Sequence, residues 1–330
     1  MRSFTYLRAG DDDRAVHAAG LPDATFVAGG TNVVDLLRID VLRPALVVDV
    51  TGLQHAGIEA TASGGVRIGA LARNSTVADH PLIRERYPVL AEALASGASP
   101  QLRNMATVGG NLLQRTRCPY FRDVAARCNK RQPGSGCAAM AGFARTLAVL
   151  GTSSECLATH PSDMCVALVA LDAVVHTRRP SGDRAIPIGE LHTLPGARPD
   201  VEHTLERGEL ITDVELPPSP AAKRSVYVKV RDRAEFAFAL ASAAVALDIV
   251  ADRIAHVRIA LGGVATKPWR AHEAEEALLD RAPTVVAFER AAAAALGTAK
   301  ALPDNAFKIE LAKRTIVRAL SRAAGVGVNA

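Results

Sequence analysis

The sequence predicts a mixed α+β protein built from more than one unit, and three observations carry that reading. The first 55 residues alternate short apolar strands with short helical patterns, a cysteine-bearing stretch near the middle breaks all periodicity, and a proline-rich segment at 217–220 precedes strand-like runs followed by helices. The chain has 330 residues, room for about two ordinary domains of roughly 150 residues each. Phe4–Leu7 reads as a strand and Asp11–Ala19 as a helix with an acidic first turn. Thr25–Ala28 is a strand that runs into Gly29-Gly30, and Asn32–Ile39 resumes helical spacing with Val33, Leu36 and Leu37 on one side. Pro44 to Gly52 is an apolar strand between turn residues, which completes a small α/β unit.

Residues 65–70 give a further strand, and Pro81–Ala95 a helix carrying Leu82, Ile83, Val89, Leu90 and Leu94. Residues 114–156 then hold four cysteines and the Pro-Gly-Ser-Gly segment at 133–136, with little apolar spacing. So long a loop inside a compact domain needs a reason, and a bound cofactor is one. Ser162 is a good N-cap for a helix over Asp163–Leu171, and a hairpin follows across Val174–Thr177 and Arg184–Pro187. Pro217-Pro218-Ser219-Pro220 reads as a linker. Beyond it, Val226–Val230, Phe236–Val250 and Ala255–Leu261 are strand-like, and helical patterns fill 271–280, 283–297 and 305–323, a sheet backed by helices.

Composition removes several classes of function. Hydrophobic residues make up 49% and charged residues 22%, so the chain has the balance of a folded protein with a core. The net charge of +5 is spread along the sequence, and one tryptophan, four tyrosines and eight phenylalanines are too few for a base-stacking platform, which argues against a nucleic-acid partner. The longest apolar stretch, Phe236 to Leu247, is closed by Asp248 and falls short of the about 20 residues of a membrane span. The opening MRSFTYLRAG has no apolar core of a secretory signal, so a cytoplasmic location is expected.

Two segments share a design: Ala28-Gly29-Gly30-Thr31-Asn32 and Thr107-Val108-Gly109-Gly110-Asn111. Paired glycines let a backbone approach a phosphate and turn successive N–H groups into one concavity, and the neighbouring hydroxyls and carboxamides add donors. The same pairs also serve as plain tight turns, and neither fits the Rossmann or P-loop pattern. Alone they mark a possible anion site and no more.

The cysteines are clustered: Cys118, Cys128, Cys137, Cys156 and Cys165 fall within 48 consecutive residues. The first four are spaced C-x9-C-x8-C-x18-C, which lacks the close pairs of structural zinc and the short gaps of common ferredoxin runs. Spacing therefore leaves an iron–sulfur cluster, zinc and unliganded thiols all open. Arg115, Arg117, Arg122, Arg127, Lys130 and Arg131 face one local acid, Asp123, so the loop reads as charge-matched to an anionic metal centre, as a basic surface that docks an acidic partner, or as both. Cys165 sits among Met164, Val166 and Leu168 and reads as a small core residue. His160, before Pro161, reads as a loop residue rather than a base.

The ordered segments FVAGGTNVVDLLR, QLRNMATVGGNLLQRTRCPYFRD, ATHPSDMCVAL, YVKVRDRAEFAFALASAAVAL and ALGGVATKPWRA resemble the FAD-binding subunit of the xanthine dehydrogenase family of molybdenum hydroxylases. The resemblance covers nearly the whole chain and is strongest to bacterial aldehyde oxidoreductase flavin subunits that carry a 4Fe–4S cluster. It implies an FAD domain of the vanillyl-alcohol-oxidase (PCMH) type. On that pattern 1–55 is the first FAD-binding subdomain, 56–216 the second with an iron–sulfur insertion at about 114–156, and 221–330 a C-terminal α+β domain.

By the same resemblance Thr25, Phe26, Val27, Ala28, Gly29, Gly30, Thr31, Asn32 and Val33 wrap the FAD pyrophosphate, with Thr107, Gly110 and Asn111 contacting it from the second subdomain. Asp163 bonds FAD hydroxyls, and Ile211 and Lys229 lie near the flavin ring. Cys118, Cys128, Cys137 and Cys156 match the four cluster ligands. The implied role is electron transfer without a catalytic side chain: a molybdopterin subunit oxidises the substrate, and a 2Fe–2S subunit relays electrons to FAD here and on to an external acceptor. Two other readings stand beside it, a stand-alone FAD oxidoreductase of the same fold and a non-catalytic zinc-binding scaffold subunit. A folded complex can also reach the periplasm on a partner's twin-arginine signal.

Overall fold

The computed structural model describes residues 1–327. Its first sheet has three parallel strands, β1 (Thr5–Arg8), β2 (Ala24–Val27) and β3 (Leu46–Asp49), with β3 in the centre. The helix Asp12–Ala19 joins β1 to β2; Asp11 caps it by accepting the Arg14 N–H at 2.8 Å, and Ala15, Val16, Ala18 and Ala19 turn into the core. A second helix, Val33–Arg38, returns the chain to β3. Parallel strands need such crossovers, which is why strand and helix alternate here.

The second sheet is antiparallel throughout, in the order β4 (Ile58–Ala60), β5 (Val66–Gly69), β8 (Leu210–Leu216), β6 (Val174–Arg179), β7 (Gly182–Pro187). Helices between β5 and β6 cover it. The helix expected over Pro81–Ala95 is two, Pro81–Arg86 and Pro88–Ser96. Pro88 offers no N–H and forces Tyr87 out of helical geometry, to φ −137°, so the chain turns there and starts again. The hairpin and the Ser162 cap are as expected: Ser162 Oγ accepts the Cys165 N–H at 3.0 Å and starts the helix Asp163–Ala170.

The third sheet runs β12 (Trp269–Arg270), β11 (Arg253–Gly262), β10 (Ala241–Val250), β9 (Ser225–Val230), all antiparallel. β10 is buried on both faces, which explains its uninterrupted apolar run. Ala243, Val245 and Leu247 meet the helices His272–Leu278, Val285–Ala295 and Phe307–Ala324, while Ala244 joins the core of the second sheet's helices. The strand begins at Ala241 rather than Phe236, because Phe236 takes a positive φ of 52° and the chain turns there. The proline-rich segment connects sheets two and three but is not a free tether: Ala221 and Ala222 are buried, and the Tyr87 hydroxyl donates to the Pro217 carbonyl at 3.0 Å.

Residues 114–156 form little regular structure beyond the helix Pro119–Arg122 and one turn at Ala138–Met140. They nonetheless have a core of their own, in which Cys118, Phe121, Cys128, Leu147 and Cys156 pack with Leu36 of the first subdomain. Among the described residues no helix is long and apolar enough to cross a membrane.

Candidate cofactor cleft and cysteine pocket

The three sheets leave a cleft between them with two lobes. The first, of about 590 Å³, lies between the first and second sheets and is lined by Thr25, Phe26, Ala28, Gly29, Gly30, Val33, Thr107 and Ile211. The second, of about 620 Å³, lies between the second and third sheets and is lined by Asn111, Asp163 and Lys229. Thr31, Asn32 and Gly110 line both, so the two glycine turns, far apart in sequence, form the floor where the lobes meet. Of the residues expected to contact FAD, Val27 alone lines neither lobe.

The turns meet because side chains are missing. A Cβ on Gly29 would sit 1.9 Å from the Met105 carbonyl oxygen, at the end of the helix Pro100–Met105, so only glycine lets the first subdomain reach the second. Gly30 has φ +72°, a conformation that glycine adopts without steric cost. Thr107 caps the short helix Val108–Leu112, its Oγ1 accepting the Gly110 N–H at 3.2 Å. Asn32 Oδ1 accepts the Arg115 N–H at 2.8 Å, which fixes the amide's orientation. Among the described residues its Nδ2, buried on this shared floor, has no partner. A buried donor left unpaired is costly unless a ligand's acceptor completes it, and an anionic diphosphate is a fitting one.

In the second lobe the Asp163 carboxylate binds Lys229 Nζ at 2.7 Å and accepts the Tyr227 hydroxyl at 2.6 Å. Lys229 also donates to the Ser96 carbonyl at 3.1 Å, and its side chain is only 4% exposed. Burial, then the neighbouring Asp163 carboxylate, pushes the Tyr227 hydroxyl well above its ordinary range, so it stays a neutral donor. Ser162 Oγ donates to Asn111 Oδ1 at 2.6 Å, which ties the second glycine turn to the Asp163 helix. Sequence reasoning missed Tyr227, although a spacing of two along β9 puts it on the face of Lys229.

Ile211 lines the first lobe and Lys229 the second, and residues of both glycine turns line the two lobes together. Their strands, β8 and β9, belong to different sheets. Arg115, Glu202, Gln114 and His160 also line the cleft and carry no local motif that would announce them.

Cys118, Cys128, Cys137 and Cys156 converge on one small pocket, with Cys128 and Cys137 paired as an antiparallel bridge. All five cysteines are free thiols. Cys118 also lines the second lobe, and Lys130 and Ala158 also line the first, so this pocket abuts both. Cys165 lies apart, fully buried in the helix Asp163–Ala170, where burial pushes its thiol up to about 12. It sits within 4.8 Å of ring nitrogens of His160 and His192. Those rings have other partners: His160 Nδ1 accepts the Ser162 N–H at 3.3 Å, and His192 Nε2 donates to the Leu112 carbonyl at 2.9 Å.

The basic stretch turns inward. Arg122 makes a bidentate pair with Asp35 at 2.7 and 2.9 Å, and Arg115 and Lys130 both pair with Glu202. Arg131 donates to the carbonyls of Tyr120 at 2.9 Å and Phe121 at 2.7 Å. Burial alone would push the Glu202 carboxyl up, but Arg115 and Lys130 outweigh it and hold the group below its ordinary range. Arg115, Arg122 and Lys130 therefore find acids from distant segments.

Two family models match the chain. One is described as the FAD binding domain in molybdopterin dehydrogenase and spans residues 2–219; the other, the CO dehydrogenase flavoprotein C-terminal domain, spans 226–323. The chain is 50% identical over 325 residues to the aldehyde oxidoreductase FAD-binding subunit PaoB of Escherichia coli (strain K12), which covers 98% of this chain and 99% of that one. It is 27% identical to the glyceraldehyde dehydrogenase medium chain of Sulfolobus acidocaldarius, over 84% of this chain and 82% of that one. Among solved structures, carbon monoxide dehydrogenase from Hydrogenophaga pseudoflava aligns over 98% of both chains with a TM-score of 0.76 and 25% identity. Quinoline 2-oxidoreductase from Pseudomonas putida 86 aligns over 98% of both chains with a TM-score of 0.76 at 21% identity, a likeness of fold.

Proposed function

The chain belongs to the FAD-binding family of the molybdopterin dehydrogenases, and from that premise we propose that it is the electron-transfer flavoprotein subunit of an aldehyde oxidoreductase, holding both FAD and a 4Fe–4S cluster. The observation that carries this reading is the shared floor: two glycine turns meet where two lobes join, and a buried amide donor there has no partner. In this reading the FAD diphosphate lies over Thr31, Asn32 and Gly110, with Asn32 Nδ2 and the Thr107 turn as donors. The nucleoside half occupies the first lobe, against Phe26 and Ile211. The ring half occupies the second, where Asp163, oriented by Lys229 and Tyr227, accepts from FAD hydroxyls and Lys229 lies beside the ring. When bound, FAD supplies the two-electron redox chemistry; the residues position it and exclude water.

Cys118, Cys128, Cys137 and Cys156 are the proposed cluster ligands. The four converge on one small pocket, and four thiolates can complete the coordination of a metal centre there. The relatives are named as FAD-binding subunits or medium chains, which supports assembly with a molybdopterin subunit that oxidises the substrate and a 2Fe–2S subunit that delivers electrons. From FAD they would pass to an external acceptor. The compartment is the cytoplasm, or the periplasm by export with a partner.

Metal and flavin analysis of the purified chain tests the proposal. Flavin and iron–sulfur absorption should both be present, with about four irons per chain. Cys128→Ser should lose the iron, whereas Cys165→Ser, which alters a buried core thiol, should keep it. Colourless protein with one zinc, or equal iron loss in both variants, would overturn the assignment.

A further inference from the structure

Three consecutive residues of the cysteine loop, Cys128, Asn129 and Lys130, line the cysteine pocket. Asn129 is buried; its Nδ2 donates to Glu155 Oε2 at 2.6 Å and its Oδ1 accepts the Gly136 N–H at 2.7 Å. It thereby grips the immediate neighbours of Cys156 and Cys137. Lys130 lines both the cysteine pocket and the first lobe of the cleft. Its Nζ lies 3.1 Å from Glu202 Oε1 and donates to the Pro199 carbonyl at 2.9 Å, and its side chain is 12% exposed.

Glu202 also receives Arg115, whose backbone N–H is the donor held by Asn32 Oδ1 at 2.8 Å. The backbone thus joins Cys128 to Lys130, and contacts run on from Lys130 through Glu202 and Arg115 to the amide on the floor shared by both lobes. We infer that Lys130 is a positioning residue that couples filling of the cysteine pocket to closure of the nucleotide lobe, so that the metal centre and FAD reinforce each other's binding. This rests on the reading that both groups bind here.

Residues 114–156 have one four-residue helix and one turn for regular structure, and the four cysteines lie in their small core or pack beside it, so a group held by the thiols tightens the loop. A loosened loop withdraws Lys130 from Glu202 and Pro199. The 199–202 wall then loses its anchor, and Glu202 is left in a half-buried place with Arg115 alone. A half-paired carboxylate there is drawn toward water, and Arg115, which also orients Asn32, is drawn with it. Coupling of this kind is reciprocal: the factor by which iron tightens FAD is the factor by which FAD tightens iron.

The test uses the full chain freed of flavin, with and without its iron, titrated with FAD by flavin fluorescence. The iron-loaded chain should bind FAD at least about 5-fold more tightly, and FAD should raise the iron affinity by the same factor. Lys130→Met should still bind both groups but lose that difference in both directions. Lys130→Arg, which can still reach Glu202, should recover part of it, and Glu202→Gln should lose it as Lys130→Met does. Equal FAD affinity with and without iron in the unaltered chain would overturn the inference while leaving the cofactor assignment standing, as would a full difference kept in Lys130→Met. A chain that takes up neither group would overturn the assignment itself, and the inference with it.

Discussion

Replacing Asp163 by Asn removes one charge from a pair enclosed between the second and third sheets. The two side chains are 10% and 4% exposed, and among the described residues the Lys229 ammonium has, besides Asp163, only the Ser96 carbonyl, 3.1 Å away. Asparagine keeps the shape and one acceptor oxygen, while its NH2 replaces the acceptor of either Lys229 or the Tyr227 hydroxyl. Removing one partner of a buried pair costs about 3–5 kcal/mol, because the other charge is left without compensation. The retained acceptor places Asp163→Asn at the lower end, about 3 kcal/mol. Urea unfolding of the flavin-free chain, followed by the fluorescence of its single tryptophan, Trp269, reads this directly, since Lys229 lies in the same sheet. The double variant with Lys229→Met should recover at least about 2 kcal/mol relative to the sum of the single changes. A cost below about 1 kcal/mol for Asp163→Asn, or strict additivity, would refute the view that this pair locks the second lobe.

Gly29→Ala should impair docking of the first subdomain and weaken FAD binding more than Gly30→Ala, because its Cβ meets the Met105 backbone at 1.9 Å whereas Gly30 faces only its φ of +72° and the tip of Val34. Isothermal titration with FAD compares them, and a weaker effect at Gly29 would contradict the packing argument. Acid should destabilise the fold through His192: burial lowers its folded value to about 4, from 6.5, so between those limits the unfolded chain takes up the proton first. Stability should therefore fall as pH drops from 6.5 toward 4, by up to about 3 kcal/mol from this residue. His192→Gln, which can still donate to the Leu112 carbonyl, should flatten that slope, and an unchanged slope would assign the effect elsewhere.

Much of the fold was legible because its signals are local. The strands and helices of the first 55 residues announce themselves by turn residues and short apolar runs, and Ser162 by its position before Asp163. The missed elements lack such signals. The helices Asn74–Asp79, Pro100–Met105 and Val108–Leu112 are too short to show a period, and β8 gains its place from pairing with β5 and β6, far away in sequence. The glycine turns could be found but not placed, since their meeting depends on a carbonyl at Met105. The same holds for charge. Asp123 is the one acid within the basic stretch, and the real partners, Asp35 and Glu202, come from other segments. Sheet order, invisible from a linear pattern, is what sends Ile211 and Lys229 to different lobes.

The central claim is that one dinucleotide bridges both lobes across the floor made by Thr31, Asn32 and Gly110. A crystal structure of the chain saturated with FAD tests it most directly. The account predicts continuous density through both lobes, with the diphosphate within hydrogen-bond reach of Asn32 Nδ2 and the ring beside Lys229. Density confined to a single lobe, or a diphosphate held away from the two glycine turns, would contradict it.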